Sequence, residues 1–285
     1  MKKQLPYLKI VCSMLAFSFI GIVRRNIPLP SATLSMTRGY IGALFLLVCV
    51  LVTKKNVFTP GLKKKLPLLI LSGAGIGLNW MLLFEAYNYT TVAKATLCYY
   101  MAPIFVIAFT LKGARGKKLL RSILCIVSAC AGAVLISGVV GDALPSAAEI
   151  KGLLLGLAAA VLYAVIILVN KKIEGVDDTG RTLIQLLSAA VAITPYALLG
   201  ESTDLTLLTT GPVLLILEAG ILQTGFAYYL YFSALPHIPA QRVAVLSYID
   251  PVGAIVLSTL LLGEPFSLLT IPGAALILGA AALSE

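Results

Sequence analysis

The feature that most constrains this chain is a series of uncharged apolar runs, each long enough to cross a bilayer. A helical span needs roughly 20 predominantly apolar residues at 1.5 Å rise per residue. Seven runs qualify without a charge: Leu66 to Phe84, Ala95 to Leu111, Ser122 to Gly141, Gly152 to Asn170, Thr182 to Gly200, Ala219 to Gln241 and Pro265 to Ser284. Three more carry ionisable groups: Tyr7 to Val23, Ser31 to Thr53 with Arg38, and Pro239 to Leu262 with Arg242 and Asp250. Charged residues make up 12% of the chain and mean hydropathy is +0.99, whereas a soluble domain carries about a quarter charged residues. A single soluble core could not hide so much apolar surface. The expected fold is an all-α integral membrane protein of ten transmembrane helices.

Direction follows from the basic residues, which concentrate in cytoplasmic loops of membrane proteins. With the N-terminus inside, 17 of the 22 Lys and Arg residues fall in inside segments, and Arg24, Arg25, Lys94 and Lys151 fall outside. Asp142, Glu149, Glu201, Asp204 and Glu264 also fall outside. Both termini are therefore expected to be cytoplasmic. The net charge of +10 reads as this loop bias rather than as a nucleic-acid surface. Lys2, Lys3 and Lys9 precede the first run as in a signal peptide, but no small-residue cleavage site follows, so a retained first helix is expected. Cys12, Cys49, Cys98, Cys125 and Cys130 are odd in number, form no CxxC and lie in apolar runs. They are expected to be packing residues rather than disulfides or metal ligands.

A shift of 148 aligns the third and fourth helices with the eighth and ninth. It sets Gly77 against Gly225, Phe84 against Phe232, Ala86 against Ala234, Lys94 against Arg242, Tyr100 against Tyr248 and Pro103 against Pro251. A shift of 147 sets Arg38 against Gln185. The expected domains are thus two five-helix repeats, 1–141 and 149–285. Because five is odd, the second enters the membrane in the opposite sense. Inverted repeats of this kind place a substrate site near the midplane of secondary transporters. Pro103 and Pro251 each remove a helical hydrogen bond at matched depths, a break tolerable where protein or a wet cavity covers it.

The segment from Gly225 to Arg242, with its Tyr-Tyr-Leu-Tyr-Phe and His-Ile-Pro, continues through Tyr248-Ile-Asp-Pro251, Leu262-Gly-Glu-Pro265 and Gly273 to Gly279. Together with Phe84-Glu-Ala86, Val92-Ala-Lys94 and Ala102-Pro103, it resembles the EamA-like ten-helix members of the drug/metabolite transporter superfamily along essentially the whole chain. The resemblance implies movement of small metabolites, often amino acids, across the cell membrane. The first half departs from the pattern, with Gly113-Ala114-Arg115 where the second half has Gly263-Glu264. The first helix also lacks the acidic residue that the small four-helix relatives use for proton coupling, so their exchange mechanism does not carry over.

Ionisable groups inside a bilayer are costly and are functional candidates by default. Arg38 lies two turns into the second helix. Glu85 lies near the outer end of the third and is placed to pair with it. Asp250 directly precedes Pro251, and Glu218 lies in the outer half of the eighth helix. Asn79, Trp80, Tyr99, Tyr100, Tyr163, Gln185, Tyr228 and Tyr248 are polar or aromatic residues within spans, whereas Tyr7, Tyr87 and Tyr89 suit interfacial anchoring. Gly73-x-x-x-Gly77 and Gly152-x-x-x-Gly156 suit close helix approach. The expected substrate contacts are Arg38, Asn79, Trp80, Tyr99, Tyr100, Tyr163, Gln185, Tyr228, Tyr248 and Asp250. Glu85, Asp250, Pro103 and Pro251 are candidates for coupling or gating.

These residues point to a carrier of a small zwitterionic solute, such as an amino acid, with export as the expected direction and a proton as the candidate coupling ion. No metal or cofactor is expected; the partners are the solute and the lipid bilayer. A monomer suffices to enclose a path, with a dimer left open. No P-loop, nucleophile motif or histidine cluster is present, and His237 is the single histidine. A channel or facilitator is the alternative, and a carboxylate-based membrane enzyme is a more distant one.

Overall fold

The computed structural model describes residues 4–57, 60–110, 116–137, 145–234, 237–238, 246–247, 249–265 and 267–284. The helices are α1 (Leu5–Ser18), α2 (Ile20–Arg25), α3 (Ser31–Thr53), α4 (Pro60–Tyr89), α5 (Val92–Tyr99), α6 (Ala102–Thr110) and α7 (Gly116–Ser137). They continue as α8 (Ala147–Asn170), α9 (Asp178–Leu199), α10 (Thr210–Gly220), a π-helical turn (Ile221–Phe226), α11 (Ala227–Ala234), α12 (Ile249–Leu262) and α13 (Thr270–Ser284). No strand occurs among the described residues. Among the described residues, eight helical stretches are long and apolar enough to cross a membrane, and Ile249–Leu262 and Thr270–Ala280 are shorter apolar helices.

Several expected boundaries are corrected. The eighth run begins at Thr210 rather than Ala219, because Gln223 donates to both oxygens of Glu218 at 3.0 Å and lets the carboxylate sit within the span. The third helix runs from Pro60 to Tyr89, taking in Lys63 to Lys65 and Glu85 at its ends. The last begins at Thr270 instead of Pro265. The first run divides at Phe19, and the fourth divides at Tyr100 and Met101, one turn or less before Pro103. Residues 239–245 and 248, including Arg242 and Tyr248, lie outside the described residues.

Helix starts follow local chemistry. The side chains of Thr91, Ser146 and Asp177 accept from the backbone of Lys94, Glu149, and Thr179 and Gly180 respectively, satisfying amides with no intrahelical partner. Two further starts are capped from afar. Glu201 accepts from the Ala32 and Thr33 amides at 3.0 and 2.8 Å at the head of α3. Glu264 accepts from Val92 N at 2.8 Å and Ala93 N at 3.4 Å at the head of α5, and pairs with Arg25 at 3.4 Å. Lys94 pairs with Glu149 at the same end. At the opposite end Lys55 pairs with Asp177 at 2.7 Å, and Lys9 donates to Ser233.

The bundle packs α4 against α8 and α9, α3 against α9 and the α10–π segment, α1 against α11 and α12, α5 and α6 against α8, and α7 against α13. Glycine sets the closest approach. A Cβ on Gly73 would lie 2.6 Å from the Gln185 carbonyl oxygen, and one on Gly77 would lie 2.6 Å from that of Ala189. Lipid gives helices no hydrophobic reason to associate, so such close packing supplies the attraction. Cys98 and Cys125 are buried packing residues as expected, but Cys12 and Cys130 are exposed on the outside of the bundle. Gly77→Leu is expected to lower stability by about 1–3 kcal/mol, the usual cost of overpacking, read as an earlier unfolding midpoint in detergent. Gly211→Ala, where an added Cβ meets nothing within 4 Å, should leave the midpoint nearly unchanged.

Candidate functional site

Near the middle of the bundle, one cluster gathers most of the residues singled out in sequence. Arg38 is buried, with 3% of its surface exposed. Its guanidinium carbon lies 4.4 Å from the Trp80 ring centroid and 5.2 Å from that of Phe84. Residues 80 and 84 are one turn apart and so present both rings to α3. Arg38 Nε donates to Thr224 Oγ1 at 2.9 Å. Among the described residues its two terminal nitrogens make no hydrogen bond. Such a cation over aromatic faces is stabilised by the ring quadrupoles, the more so when desolvated.

Thr224 is presented by the π-helical turn, where its hydroxyl donates to the Ala219 carbonyl five residues back at 2.7 Å. Gly225 permits that turn to approach α3: a Cβ there would lie 2.6 Å from the Phe45 ring. Single π turns inside α-helices occur frequently at functional sites. One turn further on, Tyr228 stands 6.4 Å from Trp80 and 5.2 Å from Phe17, centroid to centroid.

The cluster continues through Asn79. Its Nδ2 donates to the Ala159 carbonyl at 2.6 Å, and its Oδ1 accepts from the Tyr99 hydroxyl at 3.4 Å. Tyr99 stacks obliquely on Tyr163 at 5.4 Å and meets Tyr100 edge-on at 5.9 Å. Tyr163 keeps 38% of its surface exposed. Tyr100 sits in the break between α5 and α6, where its hydroxyl donates to Asp250 Oδ2 at 2.5 Å. Pro103 lies just beyond this break, as the second residue of α6, and Pro251 follows Asp250 in α12. Helices α1, α3, α4, α5, α8, α11 and α12 thus all contribute. The assembly offers a guanidinium, a carboxylate, an amide and a rim of phenols.

Three expectations about residue placement are corrected. Arg38 and Glu85 form no ion pair. Glu85 follows Phe84 on α4 and so points about 100° away around the helix. It accepts from Ser31 at 2.7 Å and Asn88 at 2.9 Å, and the buried Arg24 donates to the same two side chains. Tyr87 is no interfacial anchor: it is 2% exposed and shares a hydrogen bond with Thr96 at 3.2 Å. Gln185 lies outside the cluster, donating at 2.7 Å to Ser72 and 2.8 Å to Asn170 in a bridge among α9, α4 and α8. Thr224 and Phe17 were not singled out in sequence. Phe17 carries no local signal, and Thr224 could have been found only through its place opposite Arg38.

A cavity of about 480 Å³ opens at the Lys55 end, lined by Leu46, Val50, Lys55, Asp177, Thr182 and Tyr229, among others. Cys49, another lining residue, lies three turns from Arg38 on the same face of α3.

The structure is that of a multi-span membrane protein with a polar, aromatic cluster in its interior. The EamA-like transporter family model matches residues 4–138 and again residues 150–284. The chain belongs to this family of the drug/metabolite transporter superfamily and is a membrane transporter. Among similar proteins, the uncharacterized transporter YxxF of Bacillus subtilis is 28% identical over 262 residues, which is 92% of this chain and 83% of that one. The uncharacterized transporter YetK of the same organism is 26% identical over 246 residues, covering 83% of this chain and 72% of its own. A solved crystal structure aligns with a TM-score of 0.67 at 19% identity, over 98% of this chain and 96% of that chain, a likeness of fold.

At the Lys55 end, burial opposes ionisation of Asp177, but the Lys55 ammonium and the Gly180 and Thr179 amides outweigh it and hold the carboxyl below its ordinary value of 3.8. A lowered folded-state value stabilises the fold above the ordinary carboxylate range and stops doing so as pH falls through it. Asp177→Asn keeps an N-cap acceptor but loses the charge that faces Lys55 and the α9 N-terminus, and is therefore expected to cost about 0.3–1 kcal/mol near pH 7. The gap between the two unfolding midpoints should close below about pH 3.8.

Proposed function

We propose that this protein is a ten-helix secondary carrier of two inverted repeats, 1–141 and 149–285, that exports a small zwitterionic metabolite of the amino-acid type by alternating access. The observation that carries the reading is Arg38: a buried cation with one nitrogen anchored on Thr224 and its terminal fork unpaired among the described residues. A guanidinium fork matches a carboxylate bidentately, and the aromatic faces beside it suit the apolar part of such a solute. Asp250, held by Tyr100, supplies an acceptor for an ammonium group or a site for a coupling proton. In this reading Asn79, Trp80, Tyr99, Tyr100, Tyr163 and Tyr228 line the path.

The packing supports paired halves. The third span on the seventh (α4 on α9) is mirrored by the eighth on the second, the α10–π segment on α3. The third on the sixth (α4 on α8) is mirrored by the eighth on the first, α11 on α1. The fifth and tenth (α7 and α13) pair with each other. Gln185 and Arg38, matched in the repeat, each hydrogen-bond to the span facing them. The two family matches fall one in each half. Glu201 and Glu264 lie in the second half and cap helices of the first, contacts that rocking of one half on the other would break and remake.

The test is uptake by purified protein in liposomes, with labelled amino acids and other small metabolites, with and without a pH gradient. Saturable flux is expected, and Arg38→Gln with Asp250→Asn should reduce it by roughly tenfold or more, as loss of charged hydrogen bonds implies. Arg38→Lys should mainly raise the half-saturating concentration, since lysine keeps the charge but lacks the fork. Non-saturating flux would favour a channel instead. Turnover without flux would favour an enzyme, and unchanged saturable flux in the double variant would remove Arg38 and Asp250 from the site.

A further inference from the structure

Away from this cluster, a cleft of about 510 Å³ runs between α7 and α13 on the outside of the bundle. The two helices touch at one end, where a Cβ on Gly132 would lie 2.6 Å from the Gly273 carbonyl oxygen. They part toward the other end, where a Cβ on Gly279 would meet nothing within 4 Å. The result is a wedge. Its walls include Leu120, Leu124, Leu276 and Gly279, and its wide mouth carries Lys117 and Arg121. Arg121 spends one terminal nitrogen on the Leu283 carbonyl across the mouth. None of the described residues that line the cleft is acidic.

We propose that this wedge is a binding site for an anionic phospholipid, with its phosphate at Lys117 and Arg121 and an acyl chain along Leu120, Leu124, Leu276 and Gly279. The charge complementarity selects the occupant: apolar walls that already face lipid end in two cations, with no acidic side chain among the described residues that line the cleft. Basic pockets between membrane helices bind lipid headgroups in this way. The alternative, that Lys117 and Arg121 simply extend to the interface, needs no open wedge below them.

The full chain in mild detergent, incubated with phosphatidylglycerol or phosphatidylcholine and examined by native mass spectrometry, tests the site. Phosphatidylglycerol retention is expected to exceed phosphatidylcholine retention at least fivefold. Gly279→Leu fills the wedge where space is open, and should lower phosphatidylglycerol retention at least fivefold with little change in the lipid-free unfolding midpoint. Should that variant fail to fold, Lys117→Gln with Arg121→Gln tests the mouth and should bring retention down to the phosphatidylcholine level. Equal retention of the two lipids, or retention unchanged in both variants, would overturn the proposal. Displacement by soluble glycerol phosphate would make the mouth a free-anion site, and a dimer abolished by Gly279→Leu with lipid retention intact would assign the wedge to a second copy. Either result overturns the lipid assignment.

Discussion

The contact of α4 on α9 is the constraint on which the interior depends. Gly73 and Gly77 bring the α4 backbone onto the carbonyls of Gln185 and Ala189, closer than any side chain would allow. That seat fixes the rotation of α4, and rotation decides which residues look inward. Trp80 and Phe84 then cover Arg38, and Asn79 turns toward α8 to reach the Ala159 carbonyl. Moving α4 outward by one methyl group would loosen the guanidinium sandwich and the amide contact together. In a bilayer, where association rests on packing and interhelical hydrogen bonds, few other forces could restore them.

The polar groups divide by depth according to what they can find. At the ends, carboxylates meet free helix amides and lysines: Glu201 on α3, Glu264 on α5, Asp177 on α9. In the interior, donors and acceptors meet one another across helices, as in Gln185 with Ser72 and Asn170, or Asn79 with Ala159 and Tyr99. The terminal fork of Arg38 differs from these: among the described residues it makes no hydrogen bond, and the guanidinium lies against the Trp80 and Phe84 rings instead.

Much of the fold was legible because the bilayer imposes length and composition on every span. The apolar runs, the break near Pro103 and the close approach at Gly73 and Gly77 all follow from single-residue chemistry. The inward tyrosines, Trp80 and Asn79 were legible because polar and aromatic residues deep in a span need a reason. What was not legible depended on rotation about the helix axis. Glu85 and Phe84 are neighbours in sequence yet face different partners, which defeated the expected pair with Arg38. Tyr87 resembled an interfacial residue by position and is core by orientation. Gln185 was conspicuous by polarity, but only the packing of three helices shows it satisfied among them. Thr224 stood unmarked because its importance comes from a local change of helical pitch.

That change of pitch has a consequence for movement. A π turn accommodates one residue more than the α-helix it interrupts, like an extra thread on a screw. Were the turn at Ile221–Phe226 to tighten to α geometry, everything beyond it would rotate by roughly 100°, the angle of a single residue. Tyr228 would swing away from Trp80 and Phe17, and Thr224 would withdraw its hydroxyl from Arg38. The span would remain fully helical and its backbone fully hydrogen-bonded throughout. A lodged residue of this kind stores a choice between two phases of the same helix, and switching between them would rewire the cluster without unfolding a turn or breaking into the lipid.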